Sequence, residues 1–222
     1  GLFLVVAVPL VLFLRHWAGA YEVARDQDLL QALQAHWGAT FTVLSFLTTT
    51  GFVSSSWDAA QIWSGLGTPG LILMGLAIVG GGVATTAGGV KLLRIYALYL
   101  HGLREMEKLV HPSSVGRAGG FSRRLRRQGA FIAFVFFMLF ALSLTLTSLA
   151  FAALGSGFEE AMVLAVAALT TTGPLIVWAP ETPIALIELS QGAKLTLAAA
   201  MILGRFELLA IVALLSPALW RR

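Results

Sequence analysis

Apolar residues occur along this chain in blocks whose lengths alternate. Residues 1–14 are apolar throughout and stop at Arg15-His16. A helix that crosses a bilayer needs about 20 such residues, so this block reads as the tail of a helix that begins outside the sequence. A secretory h-region has similar length, but no basic stretch precedes it and no A-x-A site follows. Ala39–Phe52 is again too short to span and follows a half-polar run from Asp28 to Gln34; it suits a re-entrant segment. Trp63–Leu100 is long and mostly apolar, but its middle, Gly80 to Gly89, holds five glycines in ten positions. Each glycine costs a helix roughly 1 kcal/mol relative to alanine, so the helix is predicted to break there. Irregular backbone at membrane depth is tolerated only where protein or a water cavity satisfies it. Phe131–Ala153 is an uninterrupted span of 23 residues, Phe158–Leu169 is short, and Thr196–Leu219 is a last span that carries Arg205 and Glu207.

The order is therefore long, short, long, twice over, and a repeat in the residues matches it. Phe46-Leu47-Thr48-Thr49-Thr50-Gly51-Phe52 returns 122 positions later as Ala168-Leu169-Thr170-Thr171-Thr172-Gly173-Pro174. Each copy follows a short apolar segment and precedes a long one.

Composition makes the class explicit. With 58% hydrophobic and 12% charged residues and mean hydropathy +0.85, the chain departs from soluble domains, which are about 25% charged. It reads as an integral membrane protein. The absence of cysteine excludes a disulfide scaffold, thiolate-bound zinc and a thiol nucleophile. Nine Lys and Arg residues lie between Lys91 and Arg127, and Arg221-Arg222 close the chain. Such a bias marks the cytoplasmic side, which explains the 117–127 run better than a nucleic-acid patch does. Glu22, Asp26, Asp28, Asp58, Glu159, Glu160 and Glu181 fall on the opposite side, where they would concentrate cations at a mouth. Lys194 reads as an interfacial residue that snorkels, the six tryptophans as interfacial belts, and the phenylalanines from Phe131 to Phe140 as lipid-facing or core. There is no Walker A, no G-x-S-x-G and no H-E-x-x-H, and His16, His36, His101 and His111 lack metal-ligand spacing. Nothing here supports an enzyme.

A re-entrant helix that ends in an extended Thr-Thr-Gly can aim backbone carbonyls at an axis, where rings of carbonyls replace the hydration shell of a cation. Threonine suits extended backbone, glycine opens conformations closed to other residues, and the helix points its negative end at the ion. A single Thr-Thr-Thr-Gly would read as a small-residue packing loop; two in equivalent positions favour a filter. For Gly80–Gly89 the alternative is a tight helix contact of the small-xxx-small kind. Arg205 costs roughly 2.5–3.5 kcal/mol at a helix centre, so it calls for a buried partner or a wet cavity.

Thr48–Phe52, Thr170–Pro174, Gly80–Gly89 running into Val90-Lys91, the His111-Pro112 pair and Met201–Glu207 together resemble the Trk/Ktr/HKT superfamily of potassium transporters, most closely its TrkH branch. The likeness is to the third and fourth of that family's four membrane–pore–membrane repeats. It implies an all-α membrane protein with two such repeats, channel-like, each with a re-entrant filter loop. Residues 1–110 would form one repeat, 111–130 a basic cytoplasmic linker and 131–222 the second. The implied filter is Thr49, Thr50, Gly51, Thr171, Thr172 and Gly173, with K⁺ held by their backbone carbonyls. The implied intramembrane gate is Gly80, Gly81, Gly82, Thr85, Thr86, Gly88 and Gly89, with Arg205 in the last helix tuning it through contact with gate-loop carbonyls or Glu207. The resemblance further implies potassium uptake across a bacterial inner membrane, a homodimer, no cofactor in this chain, and a cytosolic nucleotide-binding ring subunit of the TrkA type. A ring needs four loops and two are present. Either an N-terminal half completes it, or two chains do, or the half is a non-conducting structural subunit of a larger membrane complex.

Overall fold

The computed structural model describes residues 2–19, 29–65, 67–82, 85–111 and 120–206, and their regular structure is helical. α1 (Leu2–Gly19), α2 (Leu29–Leu47), α3 (Trp57–Ser64), α4 (Pro69–Val79) and α5 (Leu92–Val110) form the first half. α6 (Gly120–Ala153), α7 (Phe158–Leu169), the one-turn α8 (Leu175–Trp178) and α9 (Gln191–Arg205) form the second. The long–short order holds in the second half, where the 12-residue α7 follows the 34-residue α6. In the first half α2, at 19 residues, is as long as α1, and the interruption at Gly80 separates α4 from α5. The last expected span lies outside the described residues beyond Phe206.

Local chemistry sets most boundaries. Pro69 opens α4 at a position where its missing N–H is no loss. Ser190 caps α9, its hydroxyl accepting from the Ala193 N–H at 3.2 Å. Glu159 and Glu160 occupy the first turn of α7, where the helix dipole favours negative charge. α6 closes in a Schellman turn in which Ser156 N–H donates to Phe151 O and Gly155 N–H to Ala152 O, with Gly155 at φ 99°.

Three elements differ from the pattern-based expectation. α2 begins at Leu29 and so takes in the half-polar run ahead of Ala39. The apolar stretch from Trp63 is preceded by a separate helix, α3, which ends at Gly65 in the left-handed region before α4 starts. α6 starts at Gly120, well before its apolar part, because arginine, leucine and glutamine favour helix and no proline intervenes. Residues 112–119 of the expected linker lie outside the described residues. Within α6, Gly129–Ala153 is the stretch, among the described residues, long and apolar enough to cross a membrane.

Two apolar cores follow the two halves. One gathers Leu12, Ala35, Ala39, Val43, Phe46, Trp57 and Leu73 from α1 to α4 and takes in Val166 and Ala167 of α7. The other gathers Phe136, Phe140, Phe151, Leu164, Leu169 and Leu197 from α6, α7 and α9. α7 therefore belongs to both cores, and every residue from Val163 to Leu169 is buried.

Candidate functional site

The two threonine loops are built on one hydrogen-bond plan. In the first, Thr48 N–H donates to Leu44 O, Thr49 N–H to Phe46 O and Thr50 N–H to Ser45 O, at 2.9, 3.1 and 2.9 Å. In the second, Thr170, Thr171 and Thr172 donate to Val166, Ala168 and Ala167 at 2.9, 3.2 and 2.9 Å. Both are Schellman turns. The residue in the left-handed position is a threonine each time, Thr49 at φ 56° and Thr171 at φ 58°. Elsewhere the chain places glycine there, at Gly155 and, at the end of α3, Gly65. A β-branched residue in this region is an outlier that costs of order 1–3 kcal/mol. The expected extended threonines are thus replaced by a turn at the second threonine of each triplet.

Side chains repeat the plan. Thr48 Oγ1 donates to Leu44 O and pairs with Thr50 Oγ1 at 3.0 Å. Thr170 Oγ1 donates to Val166 O, or alternatively to Thr172 Oγ1 at 3.1 Å. Thr49 and Gly51 are buried and Thr50 is exposed, whereas Thr172 is fully buried and Gly173 is exposed. The loops touch: a Cβ on Gly51, whose φ is 83°, would lie 2.8 Å from Pro174 Cδ and 3.1 Å from Thr172 Cγ2.

The described residues of the Gly80–Gly89 segment pack against these loops. α4 stops at Gly80, with φ 71°. On the far side of the segment, Val90 N–H donates to Ile78 O and Leu92 N–H to Gly81 O. At this neck a Cβ on Gly80 would overlap Gly88 O, which is why side chains are excluded. Gly81, Gly88 and Gly89 are buried, while Gly82, Thr85 and Thr86 are exposed at the tip; Thr85 Oγ1 donates to Gly82 O at 2.6 Å. Val83 and Ala84 lie outside the described residues. Gly88 links the segment to both loops. Its N–H donates to Thr49 Oγ1 at 3.0 Å, and a Cβ there would overlap Thr170 O.

Arg205, at the exposed end of α9, donates from Nη1 to Thr86 O at 3.4 Å. Glu207, the other expected partner, lies outside the described residues. Lys91, read from the sequence as cytoplasmic-side charge and as the end of the glycine motif, was assigned no contact of its own. It is buried, holds φ 71° and donates from Nζ to Thr85 O at 3.5 Å. Its place directly after Gly88-Gly89-Val90 was the available signal. A cavity of about 210 Å³ separates the glycine segment from α6 and α9, with Thr86, Lys91, Phe140, Leu169 and Arg205 among its walls. Gly204 brings α9 against the end of α7, where its Cβ would lie 2.5 Å from Leu169 O. Two cationic side chains thus rest on adjacent carbonyls of one loop, beside two like-built turns whose helices point their negative ends at the same region.

Two helices, α2 and α7, ending in like-built turns, an interrupted helix packed against those turns and one long apolar stretch in α6 fit an all-α, channel-like membrane protein. The comparisons make the assignment specific. The TrkH family, described as a cation transport protein, matches residues 2–222. The Trk system potassium uptake protein TrkH of Escherichia coli K12 is 33% identical over 183 residues, covering 82% of this chain and 36% of that protein. The protein of the same name from Vibrio parahaemolyticus is 32% identical over 98% of this chain and 41% of its own length. The crystal structure of the potassium transporter TrkH from Vibrio parahaemolyticus superposes with a TM-score of 0.76 at 26% identity, covering 99% of this chain and 44% of that one. The chain belongs to the TrkH family, a family of membrane cation transporters and not of enzymes. It spans about two-fifths of the length of the relatives it matches.

Proposed function

We propose that this chain is part of the pore-forming subunit of a Trk-type potassium uptake system in a bacterial inner membrane. The observation that carries the reading is the pair of identically bonded threonine turns held in contact through Gly51, Thr172 and Pro174. Backbone carbonyls of Thr49, Thr50, Gly51, Thr171, Thr172 and Gly173 form half of a K⁺ filter, K⁺ being the substrate. The other half comes from further repeats of the same kind. On α2, Ala35, Ala39, Val43 and Phe46 are buried while Leu33, Trp37, Phe41 and Leu44 are exposed; in a bilayer such an apolar face is covered by further helices or by lipid. The alternative, a non-conducting structural half, needs no such completion.

The segment Gly80–Gly89 is the gate of this pathway. Arg205 tunes it through the Thr86 carbonyl, and Arg205→Ala is expected to change cation flux. A homodimer and a cytosolic nucleotide-binding ring belong to the same proposal, with the basic stretch of sequence between Arg94 and Arg127 as the ring's docking segment.

The test is growth of a potassium-uptake-deficient strain at low K⁺ on the full-length protein that contains this sequence. Growth is expected, and Gly51→Asp is expected to abolish it. No growth from a full-length protein that reaches the membrane would contradict the transport reading and favour the structural one.

A further inference from the structure

Outside its own neck, the glycine segment makes two described hydrogen bonds to distant parts of the chain: Arg205 to Thr86 O, and Gly88 N–H to Thr49 Oγ1, which joins residues 39 apart in a buried setting. The second is unusual in where its acceptor comes from. Thr48 and Thr50 spend their hydroxyls on each other and on α2, whereas Thr49 turns its hydroxyl out of the loop. It does so from a left-handed backbone conformation that glycine would adopt without strain. The neck bonds, Val90 to Ile78 and Leu92 to Gly81, lie between the segment and its flanks and do not tie it to the threonine loops.

We propose that the Thr49 hydroxyl is a latch that holds the gate segment against the filter. It is a positioning residue: it acts on the ion path through Gly88. Gly88 is wedged between Thr49 and the Thr170 backbone, so the segment cannot swing away without giving up this bond and leaving a buried amide to find water. Because coupling free energies are reciprocal, a change at the Thr49 turn on ion binding biases the segment, and movement of the segment biases the turn. The inference rests on the filter-and-gate reading above and adds to it a specific mechanical link.

The experiment is Rb⁺ uptake into proteoliposomes holding the full-length protein without a regulatory subunit. Thr49→Val keeps the branched shape and removes the acceptor. Thr49→Gly removes the acceptor and the strained φ together, so it folds where the valine variant fails. Thr49→Ser keeps the acceptor. Uptake by the valine and glycine variants should rise roughly 5- to 30-fold over the parent, the population shift expected from losing one buried hydrogen bond. The serine variant should stay nearer the parent than either. Hydrogen exchange across residues 85–90 should quicken in the valine and glycine variants only. Uptake at or below the parent in both, with unchanged exchange, would overturn the latch. Loss of Rb⁺-over-Na⁺ discrimination in the valine and glycine variants but not in the serine variant, with unchanged exchange across residues 85–90, would also overturn it, by making the hydroxyl part of the ion path. No Rb⁺ uptake by parent and variants alike would overturn the transport reading itself.

Discussion

α2 with its loop at 48–52 and α7 with its loop at 170–174 share a threonine triplet and a Schellman turn, and they part company one residue after the glycine. Beyond Gly51 the chain continues without regular structure through Phe52 and Val53, and the Thr50 and Gly51 carbonyls accept no backbone N–H among the described residues. Beyond Gly173, Pro174 sits at φ −60° and ψ −13° and starts α8. The Thr172 and Gly173 carbonyls then accept from Leu175 and Ile176 at 3.1 and 3.2 Å. The proline ring fixes φ near −65°, so the side chain at this one position, Phe52 or Pro174, separates a loop with unengaged carbonyls from one that folds back at once. Each carbonyl oxygen has two lone pairs, so an engaged one still has capacity for a cation. The helices differ as well. α7 is enclosed from Val163 to Leu169, whereas α2 buries one face and exposes the other. The 12-residue α7 needs no membrane-spanning length because protein surrounds it, whereas the 19-residue α2 turns one apolar face outward.

The contrast in enclosure predicts the largest effects. Leu164→Ala removes a fully buried side chain from α7 and should cost about 2–5 kcal/mol, read as a lower thermal midpoint of the detergent-solubilised full-length protein. Leu44 is 46% exposed here. If further repeats cover α2, Leu44→Ala in the full-length protein should approach the Leu164→Ala cost; a loss under about 0.5 kcal/mol, the usual surface value, would break that part of the comparison.

The contrast between the glycines comes next. Gly51→Ala must place a methyl group against Pro174 at a φ of 83°, and should cost about 2–3 kcal/mol from overpacking and backbone strain together. Gly173→Ala meets nothing within 4 Å and has no left-handed φ, so its stability cost should stay within about 1 kcal/mol. Equal losses would show that the two loops are more alike than their turns suggest.

The smallest effect lies outside the apolar spans, on α5. The hydrogen bond from Lys108 at 2.6 Å holds the Glu105 carboxyl below the usual carboxylate range. With a lowered folded pKa, the pair supports folding above that range and loses its contribution as pH falls through the lowered value. Both side chains are solvated, so Glu105→Gln should leave the thermal midpoint at neutral pH where it is within error.

Much of this architecture was legible in the residues. The duplicated triplets, the glycine interruption at Gly80 and the bounds of α7 follow from spacing and composition; the contact of Arg205 with a carbonyl of the 80–89 segment was one of two that the family resemblance suggested. The left-handed Thr49 and Thr171 did not, because β-branched residues favour extended backbone and only tertiary contacts hold them elsewhere. α3 was hidden because Ser54-Ser55-Ser56 reads as loop and Trp57–Ser64 is too short for a clear period. Lys91 was hidden because a lysine beside a basic stretch resembles its neighbours until the fold buries it. The Pro174 turn was written in the sequence, but a matched pair of motifs drew attention to what the copies share.

The most direct test of the central claim is the position of bound ion. Crystals of the full-length protein grown in Rb⁺ should give an anomalous peak bordered by backbone carbonyls of Thr49–Gly51 and Thr171–Gly173. An ordered Rb⁺ ion elsewhere along the pathway, with none against these two loops, would contradict the assignment of the threonine turns as the filter.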